Sequence, residues 1–214
     1  MNAMSRRRIT GSAFIAMAIA ASGCGQYVRD SGRAPAQVVI QSLAAASGAE
    51  PSKFFSALTS DVVTNVTKPD PCSAQTPCPT YFNDLGQVTM TLILKDPGSS
   101  TSPASPSALN QITFTRYHVA YRRTDGQNMP GVDIPFAFDS ASTFTVPAAG
   151  SVTGGFELVR NDAKLEAPLL ALRNSPVIIN AIADVTFYGR DQAGNDVSAT
   201  GSIQVNFGNF ADPQ

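Results

Sequence analysis

The chain has 214 residues, which is enough to bury one sizeable hydrophobic core and predicts a single folded domain. Apolar residues make up 43% of the sequence and charged residues only 14%, so solubility must depend on serine, threonine, asparagine and glutamine. The formal net charge is −1. Proteins that bind nucleic acid usually carry a concentrated basic patch, and this composition therefore argues against a nucleic-acid partner.

The first 23 residues have the organisation of a secretory signal peptide. Residues 6–8 are all arginine and form a positive region, and small or apolar residues follow from position 9 to position 21. This run is short for a membrane-spanning helix. Cleavage after residue 23 would leave 12 basic and 16 acidic residues, a formal charge of −4.

The end of this segment resembles the lipobox of bacterial lipoproteins, in which small residues precede a cysteine that receives diacylglycerol before cleavage. Ala21, Ser22, Gly23 and Cys24 occupy its four positions, although the first is more often Leu. The resemblance implies that Cys24 carries lipid and that the membrane is a partner through this anchor. The alternative is an ordinary signal peptide cleaved after a small residue. Because Gly25 and not Asp follows, the resemblance implies the outer membrane, at its periplasmic face.

The segment after the lipobox predicts a short linker. Residues 24–35 are polar and interrupted by glycine and proline, which is typical of a flexible tether between a lipid and a folded domain. We expect residues 36–214 to form one domain.

The remaining cysteines predict a disulfide. Cys72 and Cys78 form an even pair in an exported chain, and such pairs usually oxidise. The alternative is a free or metal-bound pair. A metal would need two more ligands, and the only histidine, His118, lies on a distant predicted strand.

Short alternating segments in the first half predict strands over residues 37–46, 61–67 and 87–95. In residues 37–46 the β-branched side chains favour a strand, while three alanines would also suit a helix. The third strand places Val88, Met90, Leu92 and Leu94 on its core face. Residues 96–110 are rich in proline and serine and predict a mobile surface loop.

The next segments predict four more strands and one helix. Residues 110–124 form a long strand whose apolar alternation changes phase, which predicts a β-bulge near Arg116. Asp125 and Gly126 then mark a turn. The predicted elements after it are strands over 132–138, 143–146 and 151–160, with Val152, Phe156 and Leu158 inward, and a helix over 161–174. Pro168 falls inside that helix and must begin a shorter helix or kink the segment.

The last hairpin, residues 177–207, has the clearest pattern in the chain. Two alternating strands flank a polar turn, and from Val197 to Phe207 every second residue is apolar or glycine. The turn Asp191-Gln192-Ala193-Gly194-Asn195 resembles that of the closing hairpin in bacterial immunoglobulin-like domains, and the chain as a whole resembles uncharacterised small bacterial lipoproteins. The strand count and the resemblance imply a mainly β fold, an immunoglobulin-like antiparallel β-sandwich of eight to nine strands with one short helix before the hairpin.

Candidate chemistry is sparse. The sequence contains no nucleophile elbow, phosphate-binding loop or dinucleotide motif, so we expect neither an enzyme nor a cofactor. A catalytic triad would need His118, which we interpret as a structural or surface residue. The acidic turn from Asp191 to Asp196 could offer oxygen ligands to calcium, but its spacing differs from the twelve-residue calcium loop, and a turn that requires positive φ explains it.

One strand interleaves basic and aromatic residues and suggests a binding face. The candidate residues are Arg116, Tyr117, Tyr121 and Arg123, which could meet an envelope protein or a glycan; the alternative is a solvated, charged strand edge. The sequence thus leaves two functions open. The first is a lipid-anchored binding or structural module of the cell envelope, and the second is a non-catalytic accessory subunit of an envelope transport, secretion or enzyme complex.

Overall fold

The computed structural model describes residues 32–212. These residues are mainly β and form twelve strands. The strands are β1 (Ala36–Ala46), β2 (Ala57–Asp61), β3 (Thr64–Val66), β4 (Cys78–Thr80), β5 (Asp84–Leu94), β6 (Gly98–Ser99), β7 (Ser102–Pro103), β8 (Ile112–Arg122), β9 (Phe138–Val146), β10 (Ser151–Val159), β11 (Ile179–Asp191) and β12 (Asp196–Gly208). The elements between the strands include one α-helix, α1 (Asn161–Lys164), and two 3-10 helices, Ala108–Asn110 and Leu169–Asn174.

The longer strands form two sheets. The small sheet has the order β1-β5-β10, and the large sheet has the order β2-β12-β11-β8-β9. Their pairs are antiparallel, except that β2 runs parallel to β12. Two small hairpins, β3-β4 and β6-β7, complete the described structure.

The inner faces of the two sheets share one hydrophobic core. Phe156 of the small sheet packs its ring 5.4 Å from the ring of Tyr117 and 5.2 Å from that of Phe187, both in the large sheet. Tyr117 and Phe187 have 1% and 0% of their surface exposed. Full burial of each such ring stabilises the fold by about 1.5 to 3 kcal/mol, so these contacts join the sheets.

The final hairpin confirms the alternation of the sequence. Val197, Ile203 and Phe207 are buried, whereas Ser198 and Gln204 on the opposite face are exposed. Strands β11 and β12 pair without a register shift, from Ile179 opposite Phe207 to Arg190 opposite Asp196. The strands extend further into the turn than the sequence predicts.

The predicted strands over 37–46 and 87–95 correspond to β1 and β5, although β5 begins at Asp84. The strand predicted over 61–67 is confirmed in part, because Thr64–Val66 forms β3. Here β2 lies upstream and ends at Asp61, and β3 is a separate strand in a small hairpin. Val62 and Val63 between them are both buried, so the apolar signal marks a core-filling link and not a strand.

The predicted bulge in β8 is confirmed. The pairing of β8 with both β9 and β11 shifts register between Phe114 and Arg116, which restores the inward direction for Tyr117. The strand predicted over 132–138 is wrong, since β9 begins at Phe138. Residues 123–137 instead form a loop held by Gly131, whose φ is 76°, and by the buried side chain of Ile134.

The segment predicted as one helix over 161–174 is helical in part and is interrupted at Pro168. The chain forms the four-residue α1 and then a 3-10 helix from Leu169, and Pro168 lies at the cap position between them. Proline lacks the N–H that a continuous helix requires, so the helix cannot run through this position. Leu169 and Leu172 are buried as predicted, but Leu165 is 45% exposed.

The strand directions place all connections at two opposite ends of the two-sheet core. One end, here called the N-terminal end, carries residues 32–35, 95–111, 147–150 and 192–195. The other end, here called the loop end, carries residues 47–56, 62–83, 123–137, 160–178 and 209–212. The predicted surface loop over 96–110 is exposed and contains the β6-β7 hairpin and a 3-10 helix.

Candidate functional site

The binding face suggested by the sequence does not exist as a surface. Tyr117 and Tyr121 are 1% and 5% exposed and point into the core. The Tyr121 hydroxyl donates to the Leu158 carbonyl at 2.6 Å, and the Tyr117 hydroxyl accepts from the Glu157 N–H at 3.0 Å. The physical reason is the strand period of two, since both tyrosines follow the bulge on its inward phase.

The two arginines of that prediction do lie outside the core, but they are apart from the tyrosines. The Arg116 guanidinium lies over the ring of Tyr188, 4.3 Å from its centroid, and Arg123 forms an ion pair with Asp125. Tyr188 comes from β11 directly opposite Arg116. This partner was missed because the register between β8 and β11 is a long-range property.

His118 is a surface residue on the large sheet. Its Nδ1 lies 3.2 Å from Asp139 on the neighbouring strand, and its side chain is 34% exposed. Asp139 also lies 3.5 Å from Arg116. The histidine therefore belongs to a charged group on the outer face of the sheet.

The turn from Asp191 to Asp196 uses its carboxylate internally. Asp191 accepts hydrogen bonds from the N–H groups of Ala193 and Asn195 at 2.9 and 2.8 Å and from the Asn195 side chain at 2.7 Å. Gly194 has the positive φ, 85°, that the sequence predicts. Within residues 32–212, no group of three or more His, Cys, Asp or Glu side chains is placed to hold a metal ion.

The predicted disulfide is confirmed. Cys72 and Cys78 are bonded, with 5.4 Å between their Cα atoms, and close a small loop between β3 and β4 at the loop end. Cys24 lies outside the described residues. No helix in the described range is long and apolar enough to cross a membrane.

A buried polar group lies under the loop end. The Asp84 carboxylate accepts from Lys164 Nζ at 2.9 Å, from Ser60 Oγ at 2.6 Å and from the Gly48 N–H at 2.9 Å. The side chains of Asp84 and Lys164 are 0% and 1% exposed, and burial raises the pKa of Asp84 while its three partners oppose that rise. Because no substrate can reach these atoms, the group acts as a tie between segments. No sequence signal marked it.

A depression in the surface also lies at the loop end, beside β2. Its volume is about 490 Å3. Consecutive residues of β2 line it, together with the segment before that strand and residues 210 and 211. Neighbouring side chains of a strand point to opposite faces, so a depression that touches consecutive residues follows the edge of the strand.

The depression has apolar walls and a few polar groups. Phe55, which is 60% exposed, and Phe210 provide the apolar surface, and the buried Leu58 lies behind it. Asp61 accepts from the Phe210 N–H at 3.1 Å and from Thr64 Oγ1 at 3.0 Å, and burial raises the pKa of this carboxyl. The depression is within the size range of ligand pockets, and such walls suit apolar groups attached to a polar backbone.

Strand β2 is an edge strand of the large sheet. One side pairs with β12, and no strand pairs with the other side in the described part of the chain. Strand β1 pairs with β5 of the small sheet along its length, and its other side meets the segment before β2 through one bridge between Ala45 and Phe55. The backbone of β2 is thus the kind of edge to which another strand can add.

No protein-family model, curated protein or solved structure matches this chain.

Proposed function

We propose that the protein is a lipid-anchored binding module of the cell envelope, attached through Cys24 at the periplasmic face of the outer membrane. The arginines, the apolar run and the lipobox-like residues support the anchor. The Cys72–Cys78 disulfide supports an exported chain, because disulfides persist in oxidising compartments. The folded domain would begin a few residues after the anchor.

We further propose that the two sheets are an immunoglobulin-like β-sandwich. Support comes from the shared core, the antiparallel pairing and the uninterrupted closing hairpin. In such a domain, loops at one end commonly bind ligands while the sheets provide the scaffold.

The observation that carries the binding function is the uneven distribution of exposed apolar side chains. Eight of the eleven large apolar side chains that are exposed among residues 32–212 lie at the loop end. These eight are Phe55, Met129, Val132, Phe136, Leu165, Leu170, Val177 and Ile178. Exposed apolar surface gathered at one end is typical of a surface that binds another molecule, and its character favours a protein over a glycan.

The anchor and this surface would lie at opposite ends. The first described residues are at the N-terminal end, where the Lys95 N–H donates to the Pro35 carbonyl. Strand β1 has 11 residues, so the two ends are roughly 35 Å apart at about 3.3 Å per residue. A domain tethered at its N-terminal end would present the loop end to a partner.

A second candidate is the accessory subunit of an envelope complex, and loop 123–137 favours it. Met129, Val132 and Phe136 are 61%, 61% and 52% exposed, yet the Met129 N–H donates to Asp133 and the Gly131 N–H donates to the Ile134 carbonyl. A loop ordered in advance binds without a large entropic cost, which suits permanent docking.

The test uses wild type and Cys24→Ser. After expression in a Gram-negative host, membranes are fractionated and the mature protein is weighed by mass spectrometry. We expect wild type in the outer membrane with a lipid-modified N-terminal cysteine, and the variant without lipid. A soluble, unmodified wild type would reject the anchor.

The surface is tested separately by photo-crosslinking in cells. Crosslinkers placed at Val132 and, as a control, at Thr200 on the outer face of β12 should give different products. We expect a discrete protein adduct from position 132 only. Equal adducts at both positions would reject the loop end as the binding surface, and a single transport or secretion complex among the products would favour the accessory-subunit function.

A further inference from the structure

We propose that the open edge of β2 binds an extended peptide of a partner protein, which adds as a strand, packs an apolar side chain between Phe55 and Phe210, and places a basic side chain beside Asp61. The peptide would form main-chain hydrogen bonds with β2, and alternate side chains would enter or leave the depression. This inference deepens the proposed binding function by naming its ligand class, and so rests on it.

The position of the depression supports strand addition. It touches Ser56, Ala57, Leu58 and Thr59 in succession, which places it along the backbone of β2. On the side of β2 away from β12, no strand of the described structure pairs with residues 57–61, and β1 pairs only with Phe55 before the strand begins. Main-chain donors and acceptors at such an edge give affinity, and an adjacent apolar pocket gives specificity.

The residues around this edge also determine which side chains of a bound peptide fit. Phe55 and Phe210 offer aromatic surface to an apolar group, and the volume of about 490 Å3 accommodates side chains of a short peptide but no folded element. Aromatic side chains are frequent among residues that dominate binding energy.

Charge favours a basic peptide over an acidic one. The ionisable groups that line the depression are Glu50, Lys53 and Asp61, and Lys53 forms an ion pair with Glu50. Asp212 acts electrostatically on Asp61 from the neighbouring C-terminal segment. The net charge of these four groups is negative. A lysine or arginine next to the apolar residue of the peptide would therefore be complementary.

The site is formed before any ligand arrives. The Asp84 carboxylate accepts hydrogen bonds from the Gly48 N–H, in the loop that follows β1, and from the Ser60 hydroxyl in β2. Asp61 holds the N–H of Phe210. Since buried hydrogen bonds fix the walls, binding would require little ordering of this protein.

The probe is a phage-displayed library of random linear peptides, selected on the full-length chain in mild detergent. We expect enrichment of sequences with alternating apolar residues and at least one adjacent Lys or Arg. Synthetic versions of an enriched peptide are then compared by titration. Replacing the basic residue with Glu, or methylating alternate backbone nitrogens, should weaken binding by about tenfold or more.

Two variants of the protein locate the site. Phe55→Ser should weaken the enriched peptide by about tenfold, whereas Val177→Ser, equally exposed at 56% but outside the depression, should leave affinity unchanged. Both positions are exposed, so both variants should fold, which circular dichroism checks. Hydrogen exchange should show added protection of β2 amides on binding.

Three results would overturn the inference: no enriched peptide, equal affinity of Phe55→Ser and wild type, or protection confined to other strands. Crosslinking from Val132 and membrane fractionation do not involve β2. If they succeed while the peptide tests fail, the protein binds through other loops, and only the edge-strand mode is rejected.

Discussion

Two buried aspartates, one at each end of the molecule, hold their surroundings in different ways. Asp191 at the N-terminal end accepts from backbone groups two and four residues away. Asp84 at the loop end accepts from Gly48 and Ser60, which are 36 and 24 residues away, and from Lys164. The turn that contains Asp191 is therefore shaped by local hydrogen bonds, whereas the positions of the segments around Asp84 depend on the complete fold.

This difference has a functional consequence. Local turns can form independently of the core, but segments that are tied together across the fold keep their relative positions. The depression beside β2 lies between segments that have such ties. We conclude that the loop end is the better scaffold for a binding surface.

The largest loss of stability is expected from Lys164→Met. It leaves Asp84 buried without its counter-charge, and breaking a buried pair in this way costs about 3 to 5 kcal/mol. Asp191→Ala removes hydrogen bonds to neutral donors only, and we expect about 1 to 3 kcal/mol. Urea unfolding of both variants measures the difference.

The exposed ion pair between Arg122 and Asp184 provides a second reference. Its atoms lie 2.7 Å apart, but Arg122 is 48% exposed, so solvent screens the pair and Arg122→Ala should destabilise the fold far less than Lys164→Met. If Lys164→Met were as mild as this surface variant, the buried tie would not organise the loop end.

The same contrast explains which parts of the structure follow from the sequence. The closing hairpin, β1, β5 and the bulge in β8 were predictable because alternation and turn residues are local signals. The turn at Gly194 was predictable for the same reason. These elements lie in the sheets or at the N-terminal end.

Apart from the disulfide between Cys72 and Cys78, the loop end was not predictable in this way. The buried link at Val62 and Val63 imitates a strand, and Pro168 divides a segment whose leucines have helical spacing. The pairing of Asp84 with Lys164 joins residues 80 positions apart and has no sequence motif. The depression requires the register of β2 on β12, so no local pattern could indicate it.

A smaller effect is expected from the disulfide, which pins the loop end covalently. Closing a loop with a sequence separation of 6 stabilises the fold by about 2 kcal/mol or less in the chain-entropy model. Replacing Cys72 and Cys78 with Ala should therefore lower stability modestly. Hydrogen exchange should increase in β3 and β4, while the β11-β12 hairpin stays protected. Equal loss of protection in both regions would mean that the disulfide supports the whole fold.

The smallest effect concerns pH and distinguishes Asp61 from an exposed acid. Burial raises the pKa of Asp61 above its usual value of about 3.9, so the folded state binds a proton more tightly than the unfolded chain. The contribution of Asp61 to the free energy of unfolding is complete when the pH is below the usual pKa, and it is lost as the pH rises through the raised pKa. Wild type should therefore lose stability relative to Asp61→Asn as pH increases above about 4.

Asp125 gives the opposite sign and serves as the control for this pH effect. The hydrogen bond from Arg123 lowers the pKa of Asp125, so its contribution is present above the usual value and is lost as pH falls. Urea unfolding of wild type, Asp61→Asn and Asp125→Asn across the acid range separates the two contributions, because all other carboxyl groups cancel in each difference. If the stability difference between wild type and Asp61→Asn does not change with pH, or changes in the same direction as the difference for Asp125→Asn, then Asp61 is solvated. The depression beside β2 would in that case be open to water at its inner wall.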